Sequence, residues 1–171
     1  AYTLLGISYT FEYEYDKAIS TFDKAIELDI SEPHAKSWKA LCLIFIGKME
    51  EAVYYAREAM QIDPLTPTHY WRLSRAYFHL NQYENAIDTI NKLVETGIYN
   101  RRLAHQYKAM IYSEYGDKDE ARRHMENVLE IKPDFNLEAR RRTLFFQDSS
   151  YADKEIAALR EAGAPEHPPP K

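Results

Sequence analysis

The sequence predicts an all-α fold built as an array of two-helix repeats, and three observations predict it. An amphipathic segment recurs: residues 18–30 read AISTFDKAIELDI, 52–64 AVYYAREAMQIDP, 86–98 AIDTINKLVETGI and 121–133 ARRHMENVLEIKP. The leading alanines, Ala18, Ala52, Ala86 and Ala121, are spaced 34, 34 and 35 residues apart, and self-similarity in this range marks a stack of supersecondary units. Within each segment the apolar residues follow helical spacing, as in Ala18, Phe22, Ala25 and Ile26. Only five glycines are present, few for a sheet protein with tight turns.

Each element can be placed in order. Tyr2, Leu5, Gly6 and Tyr9 lie on one face of a first helix over residues 2–11, with the small Gly6 where a neighbouring helix can approach closely. A turn over 12–16 leads to a helix over 17–29. Pro33 opens the next unit, at a helix start where proline is well tolerated. Its first helix is nearly continuous in apolar residues from Leu41 to Ile46 and should be buried on more than one side. Lys36, Trp38 and Lys39 precede this run, and Gly47 stops the helix. A helix over 50–62 follows, closed by Asp63-Pro64. In the third unit Tyr70, Leu73, Ser74 and Tyr77 form the first face, and Tyr83, Ala86, Ile90 and Leu93 the second, ending at Gly97. In the fourth, Lys108, Ala109 and Tyr112 precede a turn at Gly116, and Ala121, Met125 and Val128 follow it.

This arrangement resembles the tetratricopeptide repeat, whose first helix carries an aromatic, Leu-Gly and Tyr, and whose second carries Ala, an aromatic and Ala before a closing Pro. Ile30 stands where that Pro is usual, and Leu93 where a smaller residue is usual. The resemblance implies a right-handed α-α superhelix of four repeats over 1–133, divided at about 1–32, 33–66, 67–100 and 101–133. Capping helices are expected over 134–163, one of them over 135–146 behind an Asp134 N-cap and another over 152–162, followed by a disordered Pro-rich tail over 164–171. Phe135, Leu144, Phe145 and Phe146 are expected to cover the open end of repeat four, with Arg140, Arg141 and Arg142 facing mostly to water.

The ending carries a second resemblance. Ile131-Lys132-Pro133-Asp134-Phe135, Phe145-Phe146-Gln147-Asp148 and Leu159-Arg160-Glu161-Ala162-Gly163-Ala164-Pro165-Glu166 are similar to the tetratricopeptide tract that follows bacterial adenylate/guanylate cyclase domains, and to tracts that follow winged-helix activator domains. There the last motif reads Leu-Arg-x-Ala-Gly-Leu-Pro-Glu, from which Ala164 departs. The implication is an accessory region of a larger bacterial protein.

Composition narrows the function. A net charge of −5 argues against nucleic-acid binding, which needs a basic face. The pairs Arg101-Arg102 and Arg122-Arg123 and the triplet Arg140 to Arg142 read as a solvated face balanced by Glu120, Glu126 and Glu138. The longest nearly uncharged run is far short of the roughly 20 residues of a membrane helix. The single Cys42 lies in an apolar run, so no internal disulfide forms, and a reducing, cytoplasmic setting is expected. The six histidines make no metal motif, no Gly-rich phosphate loop is present, and no nucleophile sits in a strand-turn-helix context. Neither a catalytic residue nor a cofactor or metal is assigned.

Function is therefore expected from shape. Stacked repeats form a concave face lined by their first helices. Candidate groove residues are Thr3, Ile7 and Phe11; Ser37 and Leu41; Trp71, Arg75 and Phe78; Gln106 and Met110. Trp71 and Arg75, one turn apart, are residue types enriched at binding hot spots. The clamp that one subfamily uses for chaperone C-terminal carboxylates is rejected: Thr3, Ile7, Trp38 and Thr68 occupy its positions, and only Arg72 is basic. A protein or peptide partner is expected, with homodimerisation through repeat one or two as the competing reading.

Overall fold

The computed structural model describes residues 1–169, and the described residues form ten helices and no strand. They divide into two compact units, Ala1–Asn81 and Gln82–Lys171, a cut that falls between the two helices of repeat three. Unit 1 holds α1 (Tyr2–Phe11), α2 (Tyr15–Leu28), α3 (Pro33–Phe45), α4 (Met49–Ile62) and α5 (Pro67–His79). Each helix packs on its successor, and the first helices also meet one another, α1 on α3 and α3 on α5. Unit 2 holds α6 (Tyr83–Glu95), α7 (Arg101–Tyr115), α8 (Lys118–Ile131), α9 (Leu137–Arg141) and α10 (Ser149–Glu161). There α7 is central, packing on α6, α8 and α10, while α9 rests on α10.

The turns explain why helices pair at this period. A residue with positive φ ends the first helix of each repeat: Tyr13 (61°), Gly47 (82°), Asn81 (59°) and Gly116 (98°). Three of these turns close with the same long hydrogen bond, from Glu14 N to Tyr9 O, Lys48 N to Leu43 O and Asp117 N to Tyr112 O, at 2.8–3.0 Å. This is the Schellman closure, which satisfies carbonyls the helix leaves open. Pro33 and Pro67 start α3 and α5 in the first turn, where a missing N–H costs nothing.

Small residues set the spacing. Ala18, Ala52, Ala86 and Ala121 are all at most 1% exposed. A Cβ on Gly6 would lie 2.5 Å from the ring of the fully buried Phe22, so glycine is what lets α1 and α2 meet. Burial of Phe22, Leu43, Ile90, Ile111 and Met125 contributes roughly 1.5–3 kcal/mol for each side chain. Lys36 and Lys39, at 3% and 5% exposure, lay their stems across the apolar face. Lys36 reaches Glu58 at 3.2 Å, and Lys39 reaches Asp23 and lies 3.9 Å over the Tyr55 ring. Burial lowers the Lys39 pKa, but Asp23 and Tyr55 together outweigh it and the net shift is upward.

The C-terminal segment differs from expectation. The helix expected over 135–146 is only Leu137–Arg141, because Asn136 rather than Asp134 caps it, its Oδ1 accepting from Ala139 N at 2.8 Å. Phe135 is buried as expected, at 4% exposure, but Phe145 remains 42% exposed, and the rest of the buried apolar side chains here are Leu137, Ile156 and Leu159, all at most 1% exposed. Arg141 and Arg142 face water as expected while pairing with Asp153 and Glu138, whereas Arg140 turns inward to Glu155. The tail expected to be disordered is docked over its first residues. Ala164 is 7% exposed, Pro165 and Glu166 carbonyls accept from Leu137 N and Glu138 N, and Glu166 pairs with Arg160. The remainder of that expectation, at Pro170 and Lys171, lies outside the described residues.

Candidate partner-binding face

Ten side chains were expected to line a groove, and their exposure divides them. In unit 1 Phe11 is 70% exposed, and Thr3, Ile7 and Leu41 are half-buried. Ser37 and Phe78 are fully buried, and Trp71 and Arg75 are only 8% and 7% exposed, the Arg75 guanidinium lying 5.7 Å from the Phe45 ring centroid. In unit 2 Gln106 and Met110 are 3% and 2% exposed. Of the ten, those with open surface are therefore Thr3, Ile7 and Phe11 of α1 and Leu41 of α3.

Two residues not placed among the ten complete this face. Trp38, half-buried, meets the Phe11 ring edge-on at 5.8 Å. Arg72 stacks 4.6 Å above the Trp38 ring and donates to Ser37 Oγ. Trp38 and Arg72 are one repeat period apart, so they occupy equivalent sites on neighbouring first helices. That spacing was the signal available in the sequence. An aromatic pair with a stacked guanidinium gives a rigid amphipathic ledge.

Beneath the ledge lies a buried polar relay. Ser37 Oγ sits 2.8 Å from His69 Nδ1, and His69 Nε2 is 3.8 Å from Asp63 Oδ2. The atom types are those of a hydrolase triad. However, Ser37 and His69 are both 0% exposed, and Arg72 already donates into the hydroxyl, so no substrate carbonyl reaches it. The relay instead ties α5 to α3. Burial first, and the Arg72 charge second, push the His69 pKa down to about 4, so the ring is neutral at pH 7. Cys42, fully buried with Thr10 Oγ1 at 3.2 Å, has its thiol pushed up by burial to about 11, which makes it a poor nucleophile.

In unit 2 Glu120 lies 3.6 Å from His124 at the edge of a buried cluster. His124 is 4% exposed, stacks on Tyr112 at 5.7 Å, and places Nδ1 2.7 Å from His105 Nδ1. One of these nitrogens must carry the hydrogen and the other accept it. Burial first, then Arg123 and His105, holds His124 at about 4. Two imidazoles fall short of the three or four ligands a zinc ion takes.

With this geometry in view, the comparisons are specific about fold. Residues 12–93 match the family model for Anaphase-promoting complex, cyclosome, subunit 3, and residues 104–135 match the Tetratricopeptide repeat model. Hsp70-Hsp90 organizing protein 2 of Arabidopsis thaliana is 29% identical over 98 residues, 57% of this chain and 17% of that protein. Anaphase-promoting complex subunit 3 of Schizosaccharomyces pombe is 26% identical over 136 residues, 78% of this chain and 20% of that one. The crystal structure of MamA superposes with a TM-score of 0.68 over 92% of this chain and 91% of that chain, at 20% identity. The chain has the fold of tetratricopeptide-repeat solenoid proteins. It spans only 17% and 20% of the length of the two curated relatives. Among the described residues no helix is long and apolar enough to cross a membrane.

Proposed function

We propose that this chain is a non-catalytic protein-binding module that seats an extended peptide or a partner helix on the face formed by α1 and α3. The observation that carries the reading is the Phe11–Trp38–Arg72 ledge, which leaves a 70% exposed phenylalanine at the edge of a preordered aromatic-cation stack. Aromatic and Arg side chains of this kind anchor interfaces, and an apolar ledge with one cationic point suits a peptide backbone or an amphipathic helix. Thr3, Ile7 and Leu41 flank it. Ser37 accepts from Arg72 beneath it, and Trp71, Arg75, Phe78, Gln106 and Met110 are buried. The relatives' names agree in kind, one an organizing protein for Hsp70 and Hsp90 and one a subunit of a complex. Their own partners are not transferred, since the clamp positions here carry Thr3, Ile7, Trp38 and Thr68. A peptide-display selection on the purified chain tests the reading. Selected peptides should bind Trp38→Ala at least tenfold more weakly than wild type, as hot-spot truncations do; equal binding to both removes this face as the site.

The setting we propose is cytoplasmic, in keeping with the lone buried Cys42, and accessory to a larger bacterial protein such as a nucleotide cyclase or transcription regulator. What supports that setting is the resemblance of residues 159–166, LREAGAPE, to the ending of such tracts, from which Ala164 departs. Self-association is the second reading, and repeat one favours it by leaving Leu4, Leu28 and Ile30 at 74–76% exposure. Light scattering at high concentration should give twice the chain mass if a second copy covers these side chains; the mass of one chain dismisses it.

A further inference from the structure

Unit 2 contains a recess of about 390 Å³ between α7 and the segment that runs from Lys132 through α9. Three cations line it, Arg102, Lys132 and Arg140, against one carboxylate, Asp134, although the chain as a whole carries −5. The three are not equivalent. Arg140 is held by Glu155 at 3.2 Å and Lys132 by Asp134 at 3.6 Å. Arg102 is different: among the described residues its hydrogen-bond partner is Gln106 Oε1 at 2.8 Å, a neutral amide that orients the guanidinium and leaves its charge uncompensated. The surroundings are ordered. Gln106 and Asn136 are 3% and 6% exposed, and Asn136 is fixed at both ends of its amide, accepting from Ala139 N and donating to the Asp134 carbonyl.

We propose that this recess binds a carboxylate of an acidic peptide segment, with Arg102 as its principal contact and Lys132 at the rim. The proposal rests on the peptide-binding reading above and adds to it the chemical class of one partner group. A guanidinium already oriented by a neutral amide has donors left over for a planar anion. A partly enclosed recess strengthens that attraction compared with open solvent.

The test uses the intact chain and two labelled, C-terminally amidated peptides, (Gly-Glu)4 and (Gly-Gln)4, followed by fluorescence anisotropy at low salt. Wild type should bind (Gly-Glu)4 about tenfold more tightly than (Gly-Gln)4, the scale of one charge-assisted contact. Added salt should erode the difference. Arg102→Gln, a half-buried position outside the core, should remove the preference while circular dichroism stays unchanged. Trp38→Ala should keep it. Equal binding of the two peptides by wild type, or a preference that survives Arg102→Gln, overturns the proposal. Loss of the preference in Trp38→Ala alone would overturn the recess and leave the unit 1 face standing. Displacement of (Gly-Glu)4 by millimolar inorganic phosphate but not by acetate would assign the recess to phosphate and overturn the carboxylate.

Discussion

Replacing Arg140 with Met should destabilise unit 2 by about 3–5 kcal/mol. Arg140 donates to Glu155 Oε2 at 3.2 Å, and the Glu155 side chain is fully buried between α9 and α10. The single substitution takes from a buried carboxylate the guanidinium that pairs with it, and the cost is that of breaking a buried ion pair. The double variant Arg140→Met with Glu155→Leu should recover most of the loss, because a buried pair and a well-packed apolar pair of similar volume differ little. Urea unfolding followed by circular dichroism measures both. A single variant that loses less than about 1 kcal/mol would show that Glu155 is solvated and that α9 is not anchored through it.

Acidification should weaken both units over a defined range. His69 in unit 1 and His124 in unit 2 each have a folded pKa of about 4, below the ordinary 6.5. Above pH 6.5 the rings are neutral whether the chain is folded or not, and stability is independent of them. Between 6.5 and 4 the unfolded chain takes up a proton at each ring that the folded chain refuses. Stability therefore falls with pH by about 1.4 kcal/mol per unit of pH for each histidine. From pH 7 to pH 5 the loss should be about 2 kcal/mol in each unit. The geometry accounts for the refusal. The His105 and His124 nitrogens 2.7 Å apart cannot both donate; His124 is faced by Arg123 and Lys108 against Glu120, and His105 by Arg101, Lys108 and Arg123 against Glu130. His69 is enclosed at 0% exposure beside Arg72. His69→Gln and His124→Gln should each flatten the pH dependence of their own unit. Urea midpoints that stay constant from pH 7 to pH 5 would contradict this.

The repeat pattern was readable because close packing forbids variation at a few positions. Ala18, Ala52, Ala86 and Ala121 repeat because each sits at a helix crossing with no room for a larger side chain. Gly6 was readable for the same reason, and the Phe22 ring against it is the cause. The turns were half visible. Gly47 and Gly116 announce themselves, but Tyr13 and Asn81 adopt positive φ in equivalent turns without a glycine to mark them. The face was least visible. In α5 ten of thirteen residues, including Trp71, Arg75 and Phe78, are buried, so helical spacing could not separate a groove-lining side chain from one packed beneath it. Trp38 and Arg72 were hidden for a related reason: their contact crosses two helices 34 residues apart, and a single-helix reading sees neither. At the C-terminus the choice between Asp134 and Asn136 as the cap depended on the Pro165 and Glu166 carbonyls returning to α9, which no local pattern announces.

A partner docked on Phe11, Trp38 and Arg72 must change the surroundings of the Trp38 ring. Trp38 is half-buried on this face, whereas Trp71 is 8% exposed, so the variant Trp71→Phe leaves a single reporter at the proposed site. Its emission is the most direct measurement, recorded while a display-selected peptide is titrated in. Trp38 emission should shift saturably, with the same midpoint as binding measured by calorimetry. Binding that proceeds with Trp38 emission unchanged would place the partner elsewhere on the chain.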